Sequence, residues 1–231
     1  MDIPCFVDGD IYKYRWAAAC EYDMFVMSDG SEPVRGKRNA NKYAKDQGVE
    51  IISQFHVVEP IENCLHSVKL SLTALQERYG QSPTIYLHGS GNYRNDIFPD
   101  YKISRIGLTP PALYPDVVDY LCDVWGAEKC DGIETDDILA IEQSKHPLGE
   151  SVIASIDKDL YQVPGLHYDM VKHEEYRYTP RQSDTFLYQQ IITGDRTDDI
   201  PGVHGIGPVK AKEALEGASS TYELYSRALD C

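Results

Sequence analysis

Residues 151–159 read Ser-Val-Ile-Ala-Ser-Ile-Asp-Lys-Asp, an apolar run that ends in two aspartates. A run of about four to eight apolar residues between polar ones is typical of a strand buried in a sheet. Three further segments, 3–7, 83–87 and 128–130, are predicted as strands, and the first of them is followed by Asp8. Helical patterns separate these strands, so the sequence predicts an α/β fold with a mainly parallel central sheet flanked by helices.

Apolar spacing and turn residues predict the helices. The clearest is 58–79, where apolar residues from Val58 to Leu75 step by three and four onto one stripe. Further helices are predicted at 10–20, 113–125, 135–144, 183–193, 207–216 and 220–229.

The domain organisation follows from length and from the order of these elements. The 231 residues fit one sizeable α/β domain with a small appended subdomain. We expect the α/β domain at 1–182 and a helical subdomain at 183–231. Residues 24–56 are expected to form an irregular insertion, within which 24–28 suits a strand and 37–45 a basic helical piece.

The net charge of −15 constrains the function, because phosphate binding normally needs a basic surface. One interpretation is an acidic protein with no nucleic-acid partner, and the other is that the acids are concentrated where metal ions neutralise them. The sequence has no signal-peptide pattern and no run of about 18 apolar residues, so we expect a cytoplasmic protein with no membrane partner. Six scattered cysteines indicate reduced thiols rather than a zinc site or disulfides.

Acidic residues cluster after predicted strands and at a predicted helix start. Asp8 and Asp157 stand at the carboxyl ends of strands, where ligands gather in open α/β sheets. Magnesium prefers oxygen ligands, and two such ions about 3.5–4 Å apart can activate a water and stabilise the leaving oxygen of a phosphate displacement. The expected metal ligands are Asp8, Glu134, Asp136, Asp137, Asp157, Asp159, Asp195 and Asp198.

Each acidic segment alone also has an ordinary explanation, as a turn, a helix cap or a solvated loop. Four such segments together weaken that explanation. We therefore expect a site for two Mg²⁺ ions, with Mn²⁺ as a substitute. Asp10 is interpreted as a helix cap rather than as a ligand.

A glycine-rich hairpin follows the last acidic segment. Gly205 and Gly207 permit a tight turn between helices, and Pro208 suits the first position of the next helix. Backbone N–H groups at such a helix start can hold a DNA phosphate without reading bases, together with a K⁺ ion. The alternative is a plain connection between two helices. The expected DNA contacts here are Gly202, Gly205, Gly207, Lys210 and Lys212.

Five segments occur in a characteristic order along the chain. They read V-D-G-D, Y-R-N-D-I-F-P-D-Y-K-I-S-R, G-I-E-T-D-D, S-I-D-K-D-L and G-D-R-T-D-D-I-P-G-V-H-G-I-G. Together they resemble the flap-endonuclease and 5′→3′ exonuclease family, which includes phage exonucleases and the 5′-nuclease domain of bacterial DNA polymerase I. The resemblance extends from Asp8 to about Lys212 and is strongest to the exonucleases of T-odd phages.

The resemblance implies roles for basic residues. Lys102 and Arg105 match the family's catalytic basic pair at the base of an arch or gateway, which would be formed here by residues 92–112. Arg15 matches a further basic position near the substrate phosphates. Arg94 is a plausible DNA contact, and Tyr101 is a candidate for base stacking, with packing as the alternative. The carboxylates divide into a first metal group, Asp8 and residues 134–137, and a second, residues 157–159 and 195–198.

Two features depart from the family pattern. Many relatives carry another aspartate after the strand at 83–87, where this chain has Gly89 beside His88. The first metal group is therefore expected to have one carboxylate fewer. Relatives often continue with further helices beyond the point where Cys231 ends this sequence, so a compact or truncated chain is expected.

We therefore expect a metal-dependent, phage-encoded 5′→3′ exonuclease or flap endonuclease. Its expected partner is double-stranded DNA with 5′ ends or flaps, with RNA–DNA hybrid as an additional substrate, and the protein is expected to be a monomer. Primer removal, recombination or host DNA degradation are the natural settings. The alternatives are a PIN-like ribonuclease, against which the glycine hairpin argues, and a DNA-binding homologue that has lost catalysis, which Gly89 leaves open.

Overall fold

The computed structural model describes residues 2–231. These residues divide into two compact units. The first comprises the residues up to Asp10, Ala74–Leu108 and Gly126–Cys231, and the second comprises Ile11–Thr73 and Thr109–Trp125. The boundary expected between 182 and 183 does not coincide with this division, because residues 183–231 belong to the same unit as the large sheet.

Strands and helices alternate along much of the chain. The strands are β1 (Cys5–Asp8), β2 (Glu21–Met27), β3 (Val34–Arg35), β4 (Ile51–Val58), β5 (Thr84–His88), β6 (Glu128–Cys130), β7 (Val152–Ser155), β8 (Gly165–Asp169), β9 (Glu174–Tyr178), β10 (Gly194–Asp195) and β11 (Ile200–Pro201). The helices are α1 (Ala17–Ala19), α2 (Lys37–Gln47), α3 (Ile61–Tyr79), α4 (Arg94–Ile97), α5 (Tyr114–Trp125), α6 (Thr135–Ser144), α7 (Pro180–Thr193), α8 (Pro208–Leu215) and α9 (Thr221–Leu229). A π-helix, Tyr12–Trp16, precedes α1, and 3₁₀ turns lie at Ile103–Arg105 and Lys158–Gln162.

The first unit is built on a six-stranded sheet in the order β6-β5-β1-β7-β8-β9. All neighbouring strands are parallel except β8 and β9. Every residue of β1 and β7 is buried, as expected for central parallel strands covered on both faces. Phe6, Ile153 and Leu139 pack in one core cluster, which fixes α6 against the sheet. The predicted α/β fold with a mainly parallel sheet is confirmed, whereas β8 and β9 were not predicted.

The second unit contains a three-stranded antiparallel sheet in the order β3-β2-β4. Ala40 of α2 is fully buried and packs with Phe25 and Met27 of β2. The expectation of an irregular insertion at 24–56 is therefore wrong: the segment forms regular strands and a helix around a small core of its own. The strand expected at 24–28 overlaps β2 except for Ser28, and the helix expected at 37–45 lies within α2.

Two helix boundaries show why element ends are harder to predict than elements. Helix α3 begins at Ile61 rather than at 58, because Val58 pairs with Glu21 as the last residue of β4. Helix α7 begins at Pro180, where the Thr179 hydroxyl accepts a hydrogen bond from Gln182 N and Gln182 caps Thr179 in return. No helix in residues 2–231 is both long and apolar enough to span a bilayer.

Candidate active site

The sheet edge at the carboxyl ends of β1 and β7 carries the first acids. Asp8 is the last residue of β1 and only 5% exposed. Its Oδ2 accepts a hydrogen bond of 2.9 Å from the Ser155 hydroxyl, and its Oδ1 accepts one of 3.1 Å from Asp10 N. Asp157 follows β7, and its Oδ1 accepts a hydrogen bond of 2.9 Å from Asp159 N. Backbone geometry at two neighbouring strand ends therefore fixes both carboxylates.

Three acids at this edge, Asp8, Asp136 and Asp157, are here called the unpaired acids, because none of them forms an ion pair within residues 2–231. Burial, and then the charges of Asp10 and Asp157, raise the pKa of Asp8 to about 7. Burial, and then the charges of Asp8 and Asp157, raise the pKa of Asp136 well above its usual value. The unpaired acids are thus close enough to repel one another.

Three other acids, Glu134, Asp137 and Asp198, are called the paired acids, because each carries a cation from the segment 94–105. Arg94 donates two hydrogen bonds, of 2.5 and 2.7 Å, to the two oxygens of Asp137. Lys102 Nζ lies 2.5 Å from Glu134 Oε1. Burial opposes ionisation of Glu134, but the hydrogen bond and charge of Lys102 hold its pKa below its usual value.

The third ion pair joins Arg105 to Asp198, with 2.7 Å between Arg105 Nη2 and Asp198 Oδ1. Between the pairs, the Tyr101 hydroxyl lies 2.9 Å from both Glu134 Oε2 and Asp198 Oδ2. The Tyr101 side chain is 7% exposed, so it packs among the acids and offers no free ring face for base stacking. Lys102 has a left-handed backbone, φ +55°, and its N–H donates to Asp198 O at 3.1 Å.

The second predicted metal group has its own cation. Lys158 Nζ lies 3.4 Å from Asp195 Oδ2 and 3.9 Å from Asp159 Oδ1. Gln190 Nε2 of α7 donates to Asp159 Oδ1 at 2.5 Å. Helix α7 therefore supplies a side chain to the site, although residues 183–231 are expected from the sequence to form a separate subdomain.

A cleft of about 880 Å³ brings the segments together. Its charged lining consists of Arg94, Glu134, Asp136, Asp137, Asp159, Asp195 and Asp198. Its apolar wall includes Ile97, Phe98, Ile191 and Ile200. Acids from three separate segments, together with a cation from a fourth, thus face one cleft, which is the geometry of a site for a charged ligand.

The acids of the site suit a divalent metal ion by their chemistry rather than by their present arrangement. Among residues 2–231, no group of three or more His, Cys, Asp or Glu side chains is arranged as it stands to hold a metal ion. The paired acids point instead at protein cations. The donors are nevertheless all carboxylate oxygens, which suit a hard divalent cation, and the uncompensated charge at Asp8 and Asp136 is what such an ion would neutralise. The residues therefore fit a divalent ion by their chemistry.

Some contacts at the site were missed by sequence reasoning. Asn92 Nδ2 donates to Glu134 Oε1 at 2.7 Å, and its place two residues before Arg94 was the available signal. The Asp10 carboxylate has two contacts that its interpretation as a helix cap did not include. Its Oδ1 accepts from His88 N at 2.9 Å and its Oδ2 from the Thr135 hydroxyl at 3.2 Å, so it joins the end of β5 to the start of α6.

Gly89, where the family resemblance predicts an acid, lies against the end of β6. A Cβ at position 89 would stand 2.4 Å from Asp131 Oδ1 and 2.9 Å from the Cys130 carbonyl oxygen. The Asp131 carboxylate is held there by Ser90, whose N–H and hydroxyl donate to Oδ1 at 2.7 and 2.8 Å. The space beside Gly89 is therefore already filled by another carboxylate.

The remaining predicted residues lie elsewhere. Arg15 is exposed on the π-helix of the second unit. In the glycine hairpin, β10 and β11 pair, Gly205 has φ +77°, and Gly207 precedes Pro208 at the start of α8. Lys210 Nζ donates to Gly205 O at 3.0 Å. The expected DNA contacts Gly202, Gly207 and Lys212 are placed by this turn, and their role stays a prediction.

Several known proteins are similar in sequence to this chain, although no family model matches it. The chain is 28% identical over 173 residues to DNA polymerase I of Thermus aquaticus, covering 68% of this chain and 21% of that protein. It is 26% identical over 208 residues to flap endonuclease Xni of Shewanella sediminis, covering 80% of each. The chain thus spans about a fifth of the polymerase and about four fifths of the flap endonuclease.

The fold has a close counterpart among solved structures. A flap endonuclease of bacteriophage T5, solved as a pseudo-enzyme–product complex with DNA and metal ions, superposes with a TM-score of 0.60. The two share 15% sequence identity, and the match covers 96% of this chain and 77% of that one. The fold is therefore that of the 5′-nucleases. The predicted relation to the flap-endonuclease and 5′-nuclease family is confirmed by the sequence relatives.

Proposed function

We propose that this protein is a metal-dependent nuclease that hydrolyses DNA phosphodiester bonds at 5′ ends or 5′ flaps. The observation that carries the proposal is the cleft in which Asp136, an acid without an ion pair, lies beside the paired acids and Arg94. The names of the sequence relatives and the DNA and metal ions in the T5 complex support the substrate and the ion.

The unpaired acids, with Glu134, would hold a first divalent ion, and Asp159, Asp195 and Asp198 a second. Bound Mg²⁺, or Mn²⁺ in its place, would supply activation of a water and stabilisation of the leaving oxygen. The residues of the chain have separate tasks: Ser155 orients Asp8, and Gln190 orients Asp159. Asp137 then serves to hold Arg94, as the two hydrogen bonds between them indicate.

The three cations of the segment 94–105 are the proposed phosphate ligands. Each is within hydrogen-bonding distance of one of the paired acids. A phosphate in the cleft offers them oxygens of the same charge, so they can stabilise charge that develops during displacement. In this proposal, residues 92–112 form the arch or gateway and Arg15 contacts a substrate phosphate.

The glycine hairpin and the setting complete the proposal. Gly202, Gly205 and Gly207 with Lys210 and Lys212 bind the duplex backbone, together with K⁺, as a helix–three-turn–helix element. We also infer an RNA–DNA hybrid as an additional substrate, and a monomeric, phage-encoded enzyme acting in the host cytoplasm.

The test compares a 5′-labelled blunt duplex, a 5′ flap, a closed circular single strand and a single-stranded RNA, each with Mg²⁺. We expect release of products from the 5′-ended DNA substrates and none from the closed circle if the activity starts at ends. The Asp157→Asn variant should bind the same DNA and cut none of it. Binding by the wild-type protein without cleavage would point to a DNA-binding homologue, and cleavage of the RNA alone to a PIN-like ribonuclease.

A further inference from the structure

The solvent-facing side of α2 in the second unit is the most cationic stretch of an otherwise acidic chain. Residues 33–45 contain five Lys and Arg and no Asp or Glu, in a chain with 22 Lys and Arg and 37 Asp and Glu. The cleft already described uses none of these cations. Their concentration in 13 residues therefore calls for a separate role.

Three of them share one face of the helix. Arg38, Lys42 and Lys45 stand at positions i, i+4 and i+7, which an α-helix places in one row. This row is exposed, on the side away from Ala40, whose side chain is buried against Phe25. We call Arg38, Lys42 and Lys45 the basic row.

The basic row has free charges, unlike the cations of the cleft. Within residues 2–231, no carboxylate forms an ion pair with Arg38, Lys42 or Lys45. The single acid of α2, Asp46, lies at its C-terminal end. By contrast, Arg94 and Lys102 each contact a carboxylate at 2.5 Å. The basic row can thus contact an external anion directly, whereas Arg94 and Lys102 already contact carboxylates of the protein.

We propose that the basic row binds the phosphate backbone of duplex DNA, as a holding surface separate from the residues of the cleft. The row extends about 10 Å along the helix, at roughly 1.5 Å per residue. One strand of B-DNA advances roughly 3.4 Å per phosphate, so three cations over this length match about three phosphates. Contacts of this kind position the duplex and read no sequence.

Two observations favour DNA over an acidic protein segment as the partner. The three cations follow one another at intervals of four and three residues along one helix face, and no apolar residue stands between them on that face to pack against a folded peptide. An acidic protein that acts on DNA also needs a local positive surface to offset the repulsion by its remaining charge. The proposal rests on the proposed nuclease function and adds a substrate-holding surface to it.

The test is the salt dependence of DNA binding by the triple variant Arg38→Gln, Lys42→Gln, Lys45→Gln of the full chain. Fluorescence anisotropy with a 5′-labelled duplex in a chelating buffer gives Kd without cleavage. Each lost phosphate contact reduces the slope of log Kd against log salt by about one, so the slope should fall by about three. Two duplexes of unrelated sequence should give the same change.

A matched control removes three other exposed lysines: Lys69→Gln, Lys129→Gln, Lys145→Gln. This variant has the same net charge as the first and should keep the wild-type slope to within about one. Equal slopes for the basic-row variant and the wild type would overturn the proposal, as would equal losses in the two triple variants. Binding of poly-glutamate that the basic-row variant alone loses, with an unchanged DNA slope, would overturn it in favour of an acidic protein partner.

Cleavage of a 5′ flap with Mg²⁺ separates this proposal from the one on which it rests. The basic-row variant should keep the wild-type kcat and show a raised KM, because the residues of the cleft are intact. If the wild type cuts but the basic-row variant has an unchanged KM and salt slope, the holding surface fails and the nuclease stands. If the wild type cuts nothing, the nuclease proposal fails.

Discussion

The two sets of acids at the site differ in their ion pairing: the unpaired acids form no ion pair within residues 2–231, whereas each of the paired acids contacts an Arg or Lys. Asp8 is buried and Asp136 partly buried, neither forms an ion pair within residues 2–231, and both have raised pKa values. Glu134 is also partly buried, but Lys102 and Tyr101 hold its pKa below the usual value. Burial acts on all three acids, so the presence or absence of a protein cation makes the difference.

This difference shows which acids already have a protein cation and which have none. A carboxylate held by Arg or Lys anchors the segment 94–105 and contributes to the ordered cleft. Buried acids that repel one another destabilise the folded chain, and such sites persist where function requires them. We therefore expect the unpaired acids to contribute most to metal binding.

The largest effect is expected from Asp136→Asn. Loss of this carboxylate should reduce the cleavage rate by at least about a thousandfold, equivalent to about 4 kcal/mol of transition-state stabilisation. In the metal-free protein, the same change removes a buried charge that Asp8 and Asp157 repel, so Tm should rise. Differential scanning calorimetry with a chelator checks the second part, and a fall in Tm would contradict the division into paired and unpaired acids.

Metal addition should stabilise the wild-type protein. An ion present at about 100 times its Kd adds about 2.7 kcal/mol to the free energy of unfolding, a Tm rise of about 5–10 °C for a chain of this size. The Asp136→Asn variant should respond by less than half as much. Thermal unfolding across a Mg²⁺ titration measures both, and an equal response would place the ion away from the unpaired acids.

Lys102→Met tests a cation of the paired set. Removal of one donor to developing charge costs about a hundredfold in kcat. Glu134 keeps hydrogen bonds from Asn92 and Tyr101, so the fold should remain intact, but Tm should fall because this partly buried acid loses its nearest cation. Lys145→Met, which removes an exposed lysine paired with Glu142, is the control and should leave kcat alone.

The smallest effect is expected for the pH dependence of stability that comes from His167. This buried imidazole has a hydrogen-bond partner, so it is a reference for the unpaired acids. Burial lowers its pKa, so the folded state favours neutral imidazole, and Nε2 lies 2.8 Å from Val163 O. The unfolded chain binds the proton at a pH below about 6.5, so the free energy of unfolding should fall as the pH drops below that value and through the folded pKa.

Urea unfolding at a series of pH values measures the effect of His167. The His167→Gln variant should lose this part of the pH dependence, although it is expected to be less stable overall. If the variant and the wild type have parallel pH profiles, His167 is not the group that titrates.

The sequence predicts where the acids lie better than it predicts which cations they pair with. Asp8 and Asp157 follow apolar strands, and a parallel sheet brings such strand ends to one edge. The pairing of Arg94 with Asp137 depends on the backbone path of a segment with little regular structure, including the left-handed Lys102, and no local pattern encodes that path.

The missed strands have a similar cause. Residues of β9 are charged or aromatic on both faces and sit at a sheet edge, so no apolar alternation marks them. In the segment 24–56, β4 is largely exposed, so burial leaves no clear apolar pattern in its sequence. Its pairing with β2 is what holds this strand. Tertiary pairing, rather than local preference, decides these elements.

The packed surroundings of Gly89 limit the routes by which this chain can change. A side chain there meets the Asp131 carboxylate and the Cys130 carbonyl, so Gly89→Asp alone is expected to lower stability rather than restore an acid to the site. Shortening residue 131 first, with a small separation of β5 from β6, opens the position. The order of substitutions therefore matters: we expect an acid at position 89 to be tolerated only after residue 131 has been shortened.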